Sequence, residues 1–489
     1  MRQTIRFLLG NQRREIVDLP PTTTVLNYLR LVEGMRGTKE GCGEGDCGAC
    51  TVVIGELDGG RIRYRAVNSC IELLPILDGK QLIAVEHLRN PDGSLHPVQK
   101  AIVQNHASQC GFCTPGFVMS LFALFRTEDA AQVDANRIND ALAGNLCRCT
   151  GYGTIVQAGL DMYDISGVDS IETQEPVTRD ALLELSAGGL EYTWRGQRFI
   201  SPSTIPELVD VLDRHPEAVI LAGATDVGLW ITKQLRHLET IVYIGAIEEL
   251  RYLTDRDGWI TVGAAVTQAE FQAVVARHYP DFAEVLRRFG GEQVRNVATL
   301  CGNVANGSPI GDSAPALIAL GAKMTLRGRQ GQRTIPLEDF FIGYGEQDRR
   351  PGEFVEQVSL PVALPGQMFR AYKLSKRFDQ DISAVCGAFN IRLKDGVVRE
   401  SRICFGGMAA TPKRATHMEA ALTGNTWTMA TVQAAMDTLD QDYQPIDDMR
   451  ASASYRMMAA KNLLQKVYCE SSDTPFATRL VGTEAIHVI

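Results

Sequence analysis

The chain opens on short alternating runs. Ile5, Phe7 and Leu9 alternate along residues 3–9, and with 14–18 they predict a β-hairpin turning at Asn11-Gln12. Pro20-Pro21 ends it. Thr23 or Thr24 can cap a helix running to about Glu33, with Leu26, Leu29 and Leu31 at helical spacing. Runs at 51–55, 61–67 and 81–85 predict further strands, giving a small mixed sheet with one helix and a glycine-rich loop. From about residue 95 the period becomes helical. Four helices are predicted over Pro97–His106, Pro115–Arg126, Asp134–Ala143 and Tyr152–Tyr163. Thr114 stands as N-cap to the second of these, with proline at its first position. Residues 166–192 are acidic and weakly patterned and read as a linker. From 198 to about 370 strands and helices alternate with many glycines. Strands over 369–375, 384–394 and 397–408 then run into amphipathic helices. No repeat at a fixed period and no low-complexity segment is seen.

Length agrees with several domains, since 489 residues at roughly 100–200 per domain suggest about three. A hydrophobic content of 45% with 22% charged residues is that of an ordinary globular chain, which needs no disulfide framework. A net charge of −9 argues against nucleic acid as a partner, because phosphate binding asks for a basic face. Ile5–Leu9 is too short for the apolar core of a signal peptide, and Arg13-Arg14 is followed by Glu15-Ile16-Val17-Asp18 rather than by an apolar run. No stretch approaches about 18 uninterrupted apolar residues, so no membrane span is expected. The expected compartment is the cytoplasm, where cysteines serve as metal ligands or free thiols.

Of 12 cysteines, eight lie in the first third. Cys42, Cys47 and Cys50 form C-x4-C-x2-C, and Cys70 follows after nineteen residues, the plant-type [2Fe–2S] spacing. Gly41, Gly43, Gly45 and Gly48 suit a backbone that must wrap a cluster, adopt positive φ and aim amide N–H groups at sulfur. Structural zinc usually presents paired C-x2-C units instead. Gly43, Gly45 and Gly48 also match the dinucleotide expression GxGxxG, but that fingerprint needs a strand before it and a helix after it, and neither is predicted here. The second quartet is Cys110-x2-Cys113 with Cys147-x-Cys149. Taken alone it fits zinc or a cluster. Its place before two predicted helices favours an anionic thiolate–iron centre, since helix N-termini carry partial positive charge.

The ferredoxin-like loop followed by the CGFC…CRC helical domain resembles the iron–sulfur unit of the xanthine oxidase family of molybdenum hydroxylases, over about residues 1–160. The second half is similar to the family's flavin part. Leu221-Ala-Gly-Ala-Thr-Asp226 lies between a strand and a helix, and Phe289 to Asn303, continued by Ser308-Pro309-Ile-Gly-Asp312, matches a second flavin loop. The resemblance implies an α+β multidomain fold. Its parts are a ferredoxin-like β-grasp domain (1–90), a four-helix [2Fe–2S] domain (91–165), a linker (166–192), an α/β FAD-binding domain (193–368) and an α+β C-terminal domain (369–489).

By position, the resemblance assigns FAD contacts to Ala222, Gly223, Ala224, Thr225 and Asp226, to Phe289 near the isoalloxazine, and to Thr299, Leu300, Cys301, Gly302 and Asn303 at phosphate and ribitol. Asp312 would serve the adenosine side, with Val355 and Lys373 as further contacts. Ala224 stands where relatives often carry asparagine and Cys301 where many carry glycine. Gln109 matches a glutamine that touches the pterin in relatives. A charged loop of Lys376, Arg377, Asp379 and Asp381 would flank the flavin and bear on acceptor choice. The implied cofactors are two [2Fe–2S] clusters and FAD, with molybdopterin only in a partner. That partner is a molybdenum-binding large subunit, in a heterodimer or heterotetramer. Its electrons would pass through the Cys110/Cys113/Cys147/Cys149 cluster, then the Cys42/Cys47/Cys50/Cys70 cluster, to FAD and NAD+. Xanthine or hypoxanthine is the expected substrate. An aldehyde or another heteroaromatic, or a stand-alone redox sensor, is the alternative. No catalytic acid or base is assigned.

Overall fold

A computed structural model describes residues 1–185, 188–472 and 478–479. Parts of two expected segments therefore lie outside the described residues: 186–187 of the linker, and 473–477 and 480–489 of the C-terminal domain. The chain forms two compact units. The first comprises 1–248 with 290–298, and the second 249–289 with 299–489.

In the first unit the opening hairpin forms as expected, Ile5–Leu9 pairing antiparallel with Gln12–Ile16. It joins a five-stranded mixed sheet in which Ile5–Leu9 also runs parallel to Gln81–Ile83, and Thr51–Asp58 pairs with both Gln81–Ile83 and Arg61–Asn68. Both faces of this sheet are buried, which the alternation of strand one did not reveal. Ile5, Phe7, Leu9, Val52 and Ile54 enter one core with Val25, Tyr28 and Leu29. Leu8, Val53 and Ile83 point the other way, into a core filled by Phe117, Phe122, Ile138 and Ile155. Side chains alternate along a strand, so a strand apolar at successive positions is one covered twice.

The four expected helices appear as Pro97–Gln104, Thr114–Thr127, Ala135–Leu142 and Gly153–Asp161. Cys113, not Thr114, is the N-cap of the second, so a predicted ligand sits at the helix end itself. Asp134 caps the third through Arg137 N–H at 2.8 Å. The helix expected to run to Glu33 is a short α-turn, Val25–Asn27, that widens into a π-helix over Tyr28–Val32. The expected linker is largely helical, with Ser170–Thr173 and Glu175–Leu185 packing Ile171, Leu182 and Leu185 into the second core. Its acidity misled, because the apolar positions are few but well placed. The unit is completed by a four-stranded sheet ordered Leu190–Trp194, Gln197–Ser201, Thr240–Tyr243, Val219–Leu221, whose last three strands are parallel.

The second unit holds a five-stranded antiparallel sheet that includes Trp259–Gly263, Lys323–Gly328 and Phe354–Pro361. A second antiparallel sheet has Gln367–Leu374, Val385–Lys394 and Val397–Gly406 as its long strands. Helix Ala453–Ser471 packs Ala460, Leu463, Leu464 and Val467 into the same core as Phe389 and Phe405. No helix among the described residues is long and apolar enough to cross a membrane.

Candidate iron–sulfur and flavin sites

The loop from Gly41 to Cys50 connects the π-helix to strand Thr51–Asp58. It turns through Gly43, Gly45 and Gly48, at φ of 65°, 80° and 68°. These are left-handed conformations that strain any residue with a Cβ. The turns aim three backbone amides at one sulfur. The N–H groups of Glu44, Asp46 and Cys47 donate to Cys42 Sγ at 3.4, 3.3 and 3.3 Å. Cys42 N–H donates in turn to Cys47 Sγ at 3.3 Å. A hydrogen bond from the Cys47 thiol, then one from Cys70, and the amides hold the Cys42 thiol far below its ordinary value. Cys70 also hydrogen-bonds Cys50, so the four thiols form one connected group. In a bound cluster these positions would be iron-ligating thiolates. The nest of donors suits that charge.

The second quartet forms two pairs, Cys113 with Cys147 and Cys110 with Cys149. Burial pushes the Cys147 thiol up, but hydrogen bonds from Thr150 and its neighbours outweigh this and bring it down to about 7. The Thr150 hydroxyl donates to Cys147 Sγ at 3.1 Å, and Cys147 N–H donates to the Tyr152 hydroxyl at 2.9 Å. Among the described residues no three His, Cys, Asp or Glu side chains are arranged round a single ion. Pairs suit a two-iron centre, where each iron takes two thiolates. Cys110, Cys149, Gln109, Phe112, Leu146 and Tyr152 are exposed.

The flavin candidates fall in both units. Ala222–Asp226 belongs to the first, between strand Val219–Leu221 and helix Val227–Thr232. A Cβ on Gly223 would lie 1.9 Å from Val297 O, so no other residue fits there. Ala224 holds φ of 59°, a conformation in which asparagine is less strained than alanine. Burial raises the Asp226 carboxyl above its ordinary range.

The remaining candidates stand in the second unit. Thr299 caps helix Leu300–Ala305, its hydroxyl accepting from Gly302 N–H at 3.0 Å and keeping its own proton to donate. Asn303 Oδ1 is a buried acceptor with no partner among the described groups, as a ligand-facing amide would be. Cys301 turns away. Its thiol donates to Val262 O at 3.5 Å, and burial pushes it up to about 12, so its side chain is an inert part of the core. Asp312 and Lys373 are brought together as a buried ion pair, with side chains 4% and 2% exposed, and Ser383 donates to the other Asp312 oxygen. Both carboxylate oxygens are thus engaged by protein, which the sequence did not indicate. Val355 is buried on strand Phe354–Pro361 and Phe289 is half-buried. Arg288, at the end of helix Pro280–Arg287, reaches the charged loop and the strand before it, donating to Phe378 O and Lys373 O at 2.9 and 3.0 Å and lying over the Phe378 ring.

Three residues escaped sequence reading. Thr150 and Tyr152 sit beside the last cysteine and were legible only as neighbours. Lys233 extends from helix Val227–Thr232 to donate to Cys42 O, a contact that joins segments far apart in the chain.

Fold and sites together define an iron–sulfur flavoprotein built for two clusters and one flavin. Comparison with known proteins gives the same composition in the same order. Residues 9–72 match the 2Fe-2S iron-sulfur cluster binding domain and 84–160 the [2Fe-2S] binding domain. Residues 193–363 match the FAD binding domain in molybdopterin dehydrogenase, and 370–471 the CO dehydrogenase flavoprotein C-terminal domain. The chain is 32% identical to the xanthine dehydrogenase of Emericella nidulans over 95% of its own length, and 32% identical to the xanthine dehydrogenase/oxidase of Gallus gallus over 90%. It spans 38% of each of these relatives. Among solved structures it is similar to a carbon monoxide dehydrogenase from Hydrogenophaga pseudoflava, with a TM-score of 0.53 and 28% identity, covering 55% of this chain and 94% of that one. Quinoline 2-oxidoreductase from Pseudomonas putida 86 shares the fold, at 24% identity and a TM-score of 0.51, over 55% of this chain and 95% of that one. These four domains and the xanthine dehydrogenase relatives fit the iron–sulfur and flavin electron-transfer part of the xanthine oxidase family of molybdenum hydroxylases.

Proposed function

We propose that this chain is the electron-transfer subunit of a cytoplasmic xanthine dehydrogenase. In this reading a partner molybdenum subunit, carrying the molybdopterin, hydroxylates hypoxanthine or xanthine, and this chain passes the electrons on to NAD+. The observation that carries the reading is similarity to xanthine dehydrogenases across the iron–sulfur and flavin parts alike. When bound, the clusters carry electrons singly and the flavin joins one-electron to two-electron chemistry.

The protein's own part is to hold, shield and tune. Cys42, Cys47, Cys50 and Cys70 hold one cluster, and the amides of Glu44, Asp46 and Cys47 stabilise its negative charge, which shifts its potential. Cys110, Cys113, Cys147 and Cys149 hold the other. The exposed Phe112, Leu146 and Tyr152 around that quartet suit a covering partner, and Gln109 would face its pterin. Ala222–Asp226, Phe289, Thr299–Asn303, Asp312, Val355 and Lys373 serve the FAD. At Cys301 only the backbone contributes, and Asp312 acts by orienting Lys373.

Purified with its cofactors, the chain should pass electrons from NADH to a dye and fail to oxidise xanthine until the molybdenum partner is added. A flavin-loaded chain inert to NADH would overturn the NAD+ assignment. Restored activity with an aldehyde but not with xanthine would move the substrate.

A further inference from the structure

The two cysteine loops meet backbone to backbone within the first unit. Leu146 N–H donates to Cys47 O at 3.0 Å, so a ligand of one quartet stands one hydrogen bond and one residue from Cys147 of the other. Glycines permit the approach. A Cβ on Gly48 would fall 2.2 Å from Gly144 O, and one on Gly116 would fall 2.2 Å from Gly48 O.

A buried polar network clamps this contact. Asn145 Nδ2 donates to Gly48 O at 3.1 Å, and the Ser120 hydroxyl donates to Asn145 Oδ1 at 2.7 Å. The third member comes from a distant segment. Gln293 is fully buried, and its Nε2 donates to Asn145 Oδ1 at 2.8 Å and to Ser120 Oγ at 2.9 Å. Its Oε1 finds no donor among the described groups and lies over Gly144, 1.8 Å from where a Cβ would stand. A buried acceptor left unpaired is costly. The side chain is held by its nitrogen, beside the place where the two cysteine loops meet. The segment is anchored on either side. Arg137 pairs with Glu292 at 2.8 Å, and Asn296 donates to Ala66 O at 3.0 Å.

We propose that Gln293 is a positioning residue for electron exchange between the two clusters. By fixing Asn145 it holds the Cys47–Leu146 hydrogen bond, and electrons cross covalent and hydrogen bonds more readily than open gaps. The step is the loss of one electron by one reduced cluster and its gain by the other, with no bond broken and no proton moved. The inference rests on the reading that both quartets hold clusters, and iron content measured first separates the two.

The test uses the full chain loaded with iron and flavin, and the variants Gln293→Leu and Ser120→Ala. Laser-flash reduction followed by the clusters' visible and paramagnetic signals gives the intercluster rate. In Gln293→Leu that rate should fall by ~10-fold or more, the range for losing an outer-shell partner, with iron content and the flavin-to-first-cluster rate unchanged. Ser120→Ala should slow the same step less. An unchanged intercluster rate in iron-replete Gln293→Leu would overturn the proposal, as would equal slowing of both steps. If Gln293→Leu loses its iron, an unaltered rate in Ser120→Ala overturns it. An unmodified chain lacking one cluster would instead remove the functional reading.

Discussion

Replacing Cys47 with serine is expected to remove one cluster and leave the other. Iron should fall from about four per chain to about two, and one of two paramagnetic signals of the reduced protein should vanish. Cys113→Ser should remove the other signal. The effect is large because serine is a harder ligand, protonated at neutral pH, while the loop is shaped for sulfur. The donors around Cys42 and Cys47 point at the thiol positions. Metal analysis and electron paramagnetic resonance of both variants check this. Loss of both signals in Cys47→Ser would show that the quartets do not act as separate sites.

The second large effect falls on the Asp312–Lys373 pair. Lys373→Ala leaves the Asp312 carboxylate buried without its ion-pair partner and with the hydrogen bond from Ser383, and breaking such a pair costs about 3–5 kcal/mol. Thermal unfolding should drop by roughly 10 °C, at about 2–4 °C per kcal/mol for a body of this size. The double variant Lys373→Ala with Asp312→Ala separates two roles. It no longer strands a charge, so much of the stability should return. Flavin content should stay low, because Lys373 is assigned to the cofactor. Full flavin binding by the double variant would reduce the pair to a structural element.

Much of this was legible in the chain itself, and the reasons differ by residue. The first quartet was readable because a cluster loop constrains spacing and composition together. Cys42, Cys47 and Cys50 fix the ligands, and Gly43, Gly45 and Gly48 take up the positive φ that the wrapping requires. Helices such as Pro97–Gln104 and Ala135–Leu142 were readable from their period and their start signals. The stretch 166–192 was not, since Ile171, Leu182 and Leu185 are too few to outweigh a polar composition, yet they bury fully against a neighbouring core. The site missed most where contacts join distant segments. Nothing in Phe289–Asn303 shows that Gln293 turns into the iron–sulfur domains, or that Cys301 turns away to Val262. Such directions follow from packing, not from local pattern.

The central claim is that eight cysteines hold two distinct two-iron centres in a chain that also carries flavin. Reduction of the freshly purified full chain by dithionite, followed at low temperature by electron paramagnetic resonance, tests it most directly. Two resolvable signals of about equal spin, in a chain with bound FAD, are the predicted result. A single signal, or a silent protein that holds zinc, would contradict it.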